Sequence, residues 1–232
     1  MKNLYGTGVA LVTPFKENLE VDYEALDHLV EFQISNKVEY LVLLGTTAET
    51  PTLTKEEQQL VVDRIVKANR DRLPLVLGMG GNDTASLADQ IKKVDPKKFE
   101  AILSVSPYYN RPTPEGIYQH YKAIASASKL PIIMYNIPYR TGTNMEPENV
   151  FRLANEFENI AGIKEAAGNF DQVLVLLQGK PKDFMVISGE DSLALSLVLA
   201  GGAGVISVVG QGMAQFFRND QTGHEAKAKG RI

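Results

Sequence analysis

Eight short apolar runs separated by amphipathic stretches constrain this chain more than any other feature. They fall at residues 8–12, 40–44, 75–77, 101–105, 132–135, 160–163, 184–187 and 204–208. Each is continuously apolar rather than alternating, the pattern of strands covered on both faces. The intervening segments have helical periodicity. Residues 22–36 put Leu26, Leu29, Val30 and Ile34 on one face, and residues 54–69 do the same with Leu60, Val61, Ile65 and Val66. Thr54 and Glu57 have the spacing of a capping box, each side chain reaching the other's backbone N–H. Residues 84–95, 114–127, 146–157, 170–178 and 192–200 complete the helical set. Eight strands alternating with helices predict an α/β fold, a (β/α)8 TIM barrel. A doubly wound open sheet shares the local pattern but ordinarily has fewer strands.

The C-terminal end departs from this rhythm. A helix start at 213–218 gives way to a polar tail over 219–232 that has no apolar period. The tail reads as a frayed last helix, as part of a longer element or as a simple solvated tail. The expected organisation is a barrel catalytic domain over residues 1–210. Residues 211–232 then hold the last barrel helix.

At 232 residues the chain is long enough for one large α/β domain with a full core. Its net charge of −4 is too mild to point to nucleic acid or an anionic membrane as partner. Cysteine is absent, which excludes disulfides, thiolate metal sites and cysteine nucleophiles. The first residues lack the apolar stretch of a secretory leader. No segment approaches the ~18 apolar residues of a membrane span. The expectation is a soluble, cytoplasmic protein.

In a barrel, chemistry gathers where the strands end and the following loops begin. Lys164 closes the run at 160–163. A lysine buried there loses hydration, which disfavours its charged form and lowers its pKa. A neutral amine attacks carbonyls and forms a Schiff base. Alternatively, Lys164 snorkels its ammonium to water. The other runs lead into polar segments as well. Gly45-Thr46-Thr47-Ala48-Glu49 is either a turn whose hydroxyls satisfy local backbone or a carboxylate site. Gly78-Met79-Gly80-Gly81 matches no phosphate-binding fingerprint and reads as a tight turn. Ser106-Pro107-Tyr108-Tyr109-Asn110-Arg111-Pro112 carries two loop tyrosines. Tyr135 has a core ring whose hydroxyl points to the strand end. Arg140 follows the Pro138 turn and is either a surface arginine or a two-point fork for a carboxylate. Glu190 and Asp191 read as caps of the next helix. His28, His120 and His224 have no ligand-spaced partners, so neither a metal nor a histidine base is expected. Proton transfer then falls to tyrosine, with threonine as relay.

Taken together, four segments resemble the dihydrodipicolinate synthase family, pyruvate-dependent class I aldolases that also include N-acetylneuraminate lyase. These are 45–49, 106–112, Tyr135-Asn136-Ile137-Pro138-Tyr139-Arg140-Thr141-Gly142 and Ile163-Lys164-Glu165. The resemblance extends from about Asn3 to Ala228 and implies that residues 211–232 also hold the start of an incomplete, truncated C-terminal helical extension. It implies a condensation of pyruvate with aspartate semialdehyde through an imine on Lys164, with no cofactor, in the route to diaminopimelate and lysine. Tyr135 is implied as proton donor and acceptor. Thr47 relays protons between Tyr135 and Tyr109, and Tyr109 reaches in from a neighbouring subunit of a homodimer or homotetramer. Thr46 and Thr47 are implied to hold the pyruvate carboxylate and Arg140 that of the semialdehyde. The carbonyls of Gly189 and Ile206 shape the lysine pocket.

Ala48 stands where the family commonly has glycine. The positions matching the family's lysine-feedback site are Thr50, Lys55, Gln58, Asn82, Ser86 and Tyr108. Lysine-inhibited members often carry a carboxylate where Ser86 stands, so weak or absent feedback is expected. An alternative within the family is a sister aldolase or lyase acting on a sialic acid or keto-deoxy sugar acid. Arg140 argues against it, since a sugar needs no carboxylate fork there.

Overall fold

The computed structural model describes residues 2–214. Its strands are β1 (Gly6–Ala10), β2 (Tyr40–Leu43), β3 (Leu75–Gly78), β4 (Ala101–Val105), β5 (Ile132–Asn136), β6 (Ile160–Glu165), β7 (Met185–Ser188) and β8 (Gly204–Ser207). They follow one another in chain order in a closed parallel barrel. The helices are α1 (Tyr23–Ser35), α2 (Lys55–Asn69), α3 (Thr84–Ile91), α4 (Pro114–Ala127), α5 (Pro138–Thr141), α6 (Pro147–Glu156), α7 (Phe170–Gly179) and α8 (Ala194–Leu199). The expected (β/α)8 architecture is therefore the one observed. Two compact units are distinguishable. The described residues of one are 2–78 and 206–214, and those of the other are 79–205.

In the first unit, β1, β2 and β3 pair in parallel, with Val9 level with Leu41 and Val42 level with Val76. Helix α2 begins at the capping box read from the sequence. Thr54 Oγ1 accepts from Glu57 N at 3.1 Å, and Glu57 Oε2 accepts from Thr54 N at 2.8 Å. Val61, Val62 and Ile65 are its buried face. Residues 210–214 open a helix whose Gln211 side chain donates to Ala10 O, while Gln33 Nε2 donates to Gln211 O. The rest of the segment assigned to 211–232, like His224, lies outside the described residues.

In the second unit, β4, β5, β6 and β7 form an unbroken parallel run. Helix α4 starts with Thr113 as N-cap, accepting from Gly116 N at 3.1 Å, and with proline in its first turn, where no N–H is needed. Its Ile117, Tyr121 and Ile124 recur at helical spacing and are buried. Tyr121 fastens this helix to the sheet by donating to Ser104 O at 2.7 Å.

Strand β6 has an irregular register against β5. Ile132 is level with Ile160 but Ile133 is level with Gly162, so Ala161 has no counterpart on β5. The displacement sets Lys164 level with Tyr135 and Glu165 level with Asn136. Gly162 has no room for a side chain, since a Cβ there would sit 2.8 Å from Met185 O, a backbone atom of β7. Gly162→Ala should therefore lower stability by about 1–3 kcal/mol, the usual cost of overpacking where the neighbour cannot yield. Thermal and denaturant melts followed by circular dichroism check this.

Candidate active site

The second unit holds the chemistry-bearing group. Lys164 is 3% exposed and makes no ion pair among the described residues. Its Nζ lies 4.3 Å from the centroid of the Tyr135 ring. Burial strips the ammonium of water and pushes the amine down to about 8; Asp191 and Glu190 oppose this shift, and Arg140 adds to it. The snorkelling alternative is therefore not what the chain does.

Tyr135 is buried on the neighbouring strand, and its backbone is held on both sides. Ser106 N donates to Tyr135 O at 3.2 Å, and Tyr135 N donates to the Tyr121 hydroxyl at 3.4 Å. A short tie from Gly189 N to Glu165 O at 2.7 Å brings the end of β7 against β6. Gly189 is required to be small, because a Cβ there would meet Lys164 Cε at 2.9 Å. Lys164, Tyr135, Gly189 and Arg140 are thus brought together in one unit.

Arg140 is exposed on α5, with its guanidinium carbon 5.4 Å from the Tyr139 ring centroid. Tyr108 and Tyr109 lie on the loop after β4. Tyr109 has φ +77° and is 84% exposed, so most of its ring faces solvent rather than the buried lysine. Arg111 in the same loop packs under Gly142, where a Cβ would come 2.9 Å from its Nε. Asn82 precedes α3, and Ser86 sits in its first turn with its N–H donated to Asp83 Oδ1 at 3.0 Å.

The remaining predicted residues belong to the first unit. Thr46 and Thr47 start a 3-10 turn, Thr46–Ala48, directly after β2, and both are half-buried. The turn is fixed from within the unit. Thr13 Oγ1 donates to Ala48 O at 2.7 Å, and Thr50 Oγ1 donates to Leu44 O at 2.9 Å. Gln58 Nε2 donates to Thr50 O at 3.0 Å, and Lys55 Nζ donates to Gln58 Oε1 at 3.3 Å. Ile206 is fully buried on β8.

Two features escape a reading of the sequence. Glu190 and Asp191 do not act as the expected cap. The Glu190 side chain makes no capping bond at the turn Asp191–Leu193, and both carboxylates instead act electrostatically on Lys164. Their separation from Lys164 in the chain hid this. The second feature is Glu165, buried directly beside Lys164 on the opposite strand face. Burial pushes its carboxyl up, and hydrogen bonds from Asn136, Gln172 and the backbone of Ala167 and Ala166 oppose that. An acidic residue closing an apolar run was the one signal for it.

The chain matches the model of the Dihydrodipicolinate synthetase family over residues 3–231. It is similar to the 4-hydroxy-tetrahydrodipicolinate synthase of Flavobacterium psychrophilum, 58% identical over 217 residues, which is 94% of this chain and 74% of the relative. Among solved structures, it is similar to the chloride-inhibited dihydrodipicolinate synthase of Acinetobacter baumannii complexed with pyruvate. That likeness has 38% identity and a TM-score of 0.91, covering 98% of this chain and 77% of the other. It is also similar to a structure characterised as the first monomeric dihydrodipicolinate synthase variant, at 39% identity and TM-score 0.89, covering 98% and 79%.

The burial of Lys164 has a measurable thermodynamic signature. With a pKa of about 8 in the folded chain against 10.5 as the ordinary value, its charge opposes folding at neutral pH. Lys164→Met should remove about 3 kcal/mol of that opposition, less roughly 1 kcal/mol for the lost ring contact. Below pH 8 the lysine is protonated both folded and unfolded, so the gain is complete there. From about 8 to 10.5 the folded chain releases the proton while the unfolded chain keeps it, so the native chain gains stability and the gap narrows. Urea midpoints of both proteins across pH 6.5–10 check the sign and the window.

Proposed function

Because the chain belongs to the dihydrodipicolinate synthetase family, we propose that it condenses pyruvate with L-aspartate 4-semialdehyde to give 4-hydroxy-tetrahydrodipicolinate, as a lyase of class I aldolase type in amino-acid biosynthesis. The observation that carries the reading is the buried Lys164 amine beside the Tyr135 ring, in no ion pair among the described residues. At neutral pH, a pKa of about 8 leaves about a tenth of the amine neutral, some hundreds of times more than an ordinary lysine.

In this mechanism the Lys164 nitrogen attacks the pyruvate keto carbon, water leaves, and an iminium forms. The iminium draws electrons from the adjacent methyl group, whose proton passes to Tyr135. The resulting enamine carbon attacks the aldehyde carbon of the second substrate, and the aldehyde oxygen takes up a proton. The amine of that substrate then attacks the iminium carbon, closes the ring and expels Lys164 as a free amine. Thr46 and Thr47 are assigned the pyruvate carboxylate, with Thr47 also relaying protons between Tyr135 and Tyr109. Arg140 is assigned the semialdehyde carboxylate. The backbone carbonyls of Gly189 and Ile206 are assigned to the lysine pocket.

Tyr109 projects into solvent within one chain, which supports its service to a neighbouring subunit of a homodimer or homotetramer. Thr50, Lys55, Gln58, Asn82, Ser86 and Tyr108 are assigned to the feedback site. The neutral Ser86 supports weak response to lysine. Among the described residues no helix is long and apolar enough to cross a membrane, and the reading places the enzyme in the cytoplasm.

Borohydride reduction in the presence of pyruvate should add one reduced pyruvate at Lys164 and abolish turnover. An unmodified Lys164 peptide by mass spectrometry would overturn the proposal. The rate of imine formation should climb about tenfold per pH unit below 8 and level off above it, following the neutral amine. Arg140→Ala should raise the KM for the semialdehyde by roughly 10- to 100-fold, the loss of one charge-assisted contact, while leaving the KM for pyruvate nearly unchanged. Steady-state kinetics with each substrate varied in turn give both values.

A further inference from the structure

We propose that Glu165 is a positioning residue for the second substrate: through Asn136, its buried carboxylate fixes both ends of the segment that carries Arg140. The inference rests on the reading of Arg140 as the fork for the semialdehyde carboxylate.

Glu165 follows Lys164 on β6 and faces α7, where its Oε2 accepts from Gln172 Nε2 at 2.9 Å. Asn136 Nδ2 donates to both of its oxygens, at 3.1 and 3.0 Å, and Ala167 N donates to Oε1 at 2.7 Å. An ionised carboxylate can meet all of these donors because it accepts at both oxygens and has no hydrogen to place.

The direction of the network follows from one backbone group. Met145 N donates to Asn136 Oδ1 at 3.0 Å, and a backbone N–H can only donate. This turns Asn136 Nδ2 toward Glu165 and toward Asn144 Oδ1, 2.8 Å away. Asn144 Nδ2 must then donate to Gln172 Oε1, at 2.8 Å, which leaves Gln172 Nε2 for Glu165. The circuit closes on the carboxylate.

What the circuit encloses is the functional point. Asn136 ends β5, and its side chain grips Met145 nine residues later. Between them lies α5 with Arg140, braced internally by Thr141 Oγ1 donating to Ile137 O at 3.2 Å and to Thr143 O at 2.9 Å. Arg140 is exposed and has little packing of its own, so its place is set by the segment. The segment is set by Asn136, and Asn136 by Glu165. Burying a carboxylate is expensive, and a purely structural contact between sheet and helix is built more cheaply from apolar side chains.

The test is Glu165→Gln, measured beside Arg140→Ala and the double exchange Glu165→Gln/Gln172→Glu. A glutamine at 165 must turn its amide hydrogens either on Gln172 Nε2 or on the Ala167 N–H, so one donor faces another. The expected result is a semialdehyde KM raised about tenfold or more, with pyruvate KM within about twofold and borohydride trapping retained. The double exchange restores the match, since the amide at 165 then donates to a carboxylate at 172 that also accepts from Asn144. It should recover the semialdehyde KM to within about threefold. An unchanged semialdehyde KM in the single variant overturns the inference, as does an equal rise for both substrates or a folded double exchange without recovery. If the single variant does not fold, the double exchange decides alone, because a folded form with a raised semialdehyde KM overturns it. Should Arg140→Ala leave that KM unmoved, the reading of Arg140 has failed and takes this inference with it. If Arg140→Ala raises it and Glu165→Gln does not, only the inference fails.

Discussion

Removal of water from one ammonium group is the constraint around which this structure is arranged. An amine in water at neutral pH is almost wholly protonated and inert toward carbonyls. Enclosing Lys164 beside an aromatic face, with no carboxylate of the described residues in ion-pair contact, makes the charged form the dearer one. The surroundings are balanced rather than uniformly hostile. Asp191 and Glu190 draw the proton back while Arg140 repels it, leaving the group close to neutrality, where it is both available and exchangeable. A general nucleophile needs that middle position, since an amine held far below neutrality would be a weak base and a poor proton carrier.

Strand β6 answers two opposite electrostatic problems with neighbouring residues. On the Tyr135 side, Lys164 meets an aromatic ring and, among the described residues, no ion-pair partner. On the α7 side, Glu165 receives hydrogen bonds from two amides and a backbone N–H. Successive side chains of a strand point to opposite faces, so the two ionisable groups are adjacent in sequence yet set in different surroundings. A rigid extended backbone between two flanking strands is what allows this, because neither side chain can swing to the other for relief.

The strand count was readable from hydrophobic period alone, since double-faced burial writes itself as continuous apolar runs; the short α5 has no such period and was not foreseen. The errors lie where polar residues belong to strands. β1 starts at Gly6 and includes buried Thr7, and β6 runs on through Lys164 and Glu165, beyond the last aliphatic residue. Lys164 itself was legible as an oddity at a strand end. Its electrostatic company was not, because Asp191 and Arg140 act on it from distant points of the chain and each has an ordinary local explanation, as a cap or as a surface charge. The Asn136–Glu165–Gln172 network was likewise invisible. Asn136 and Glu165 stand in quoted motifs but nothing there pairs them, and their meeting depends on which residues stand level across β5 and β6.

That alignment hinges on Ala161, the unmatched residue of β6. Had pairing continued evenly from Ile160 and Ile132, Ile163 would stand alongside Tyr135, and Lys164 would be carried one step on to Asn136. Flattening the bulge while Ala161 is kept would spare every side chain and still part Lys164 from Tyr135. The phase of a strand is in this sense part of the chain's chemical equipment, and a chain sharing all the same motifs but paired evenly through this bend would set its lysine beside an asparagine instead of a tyrosine.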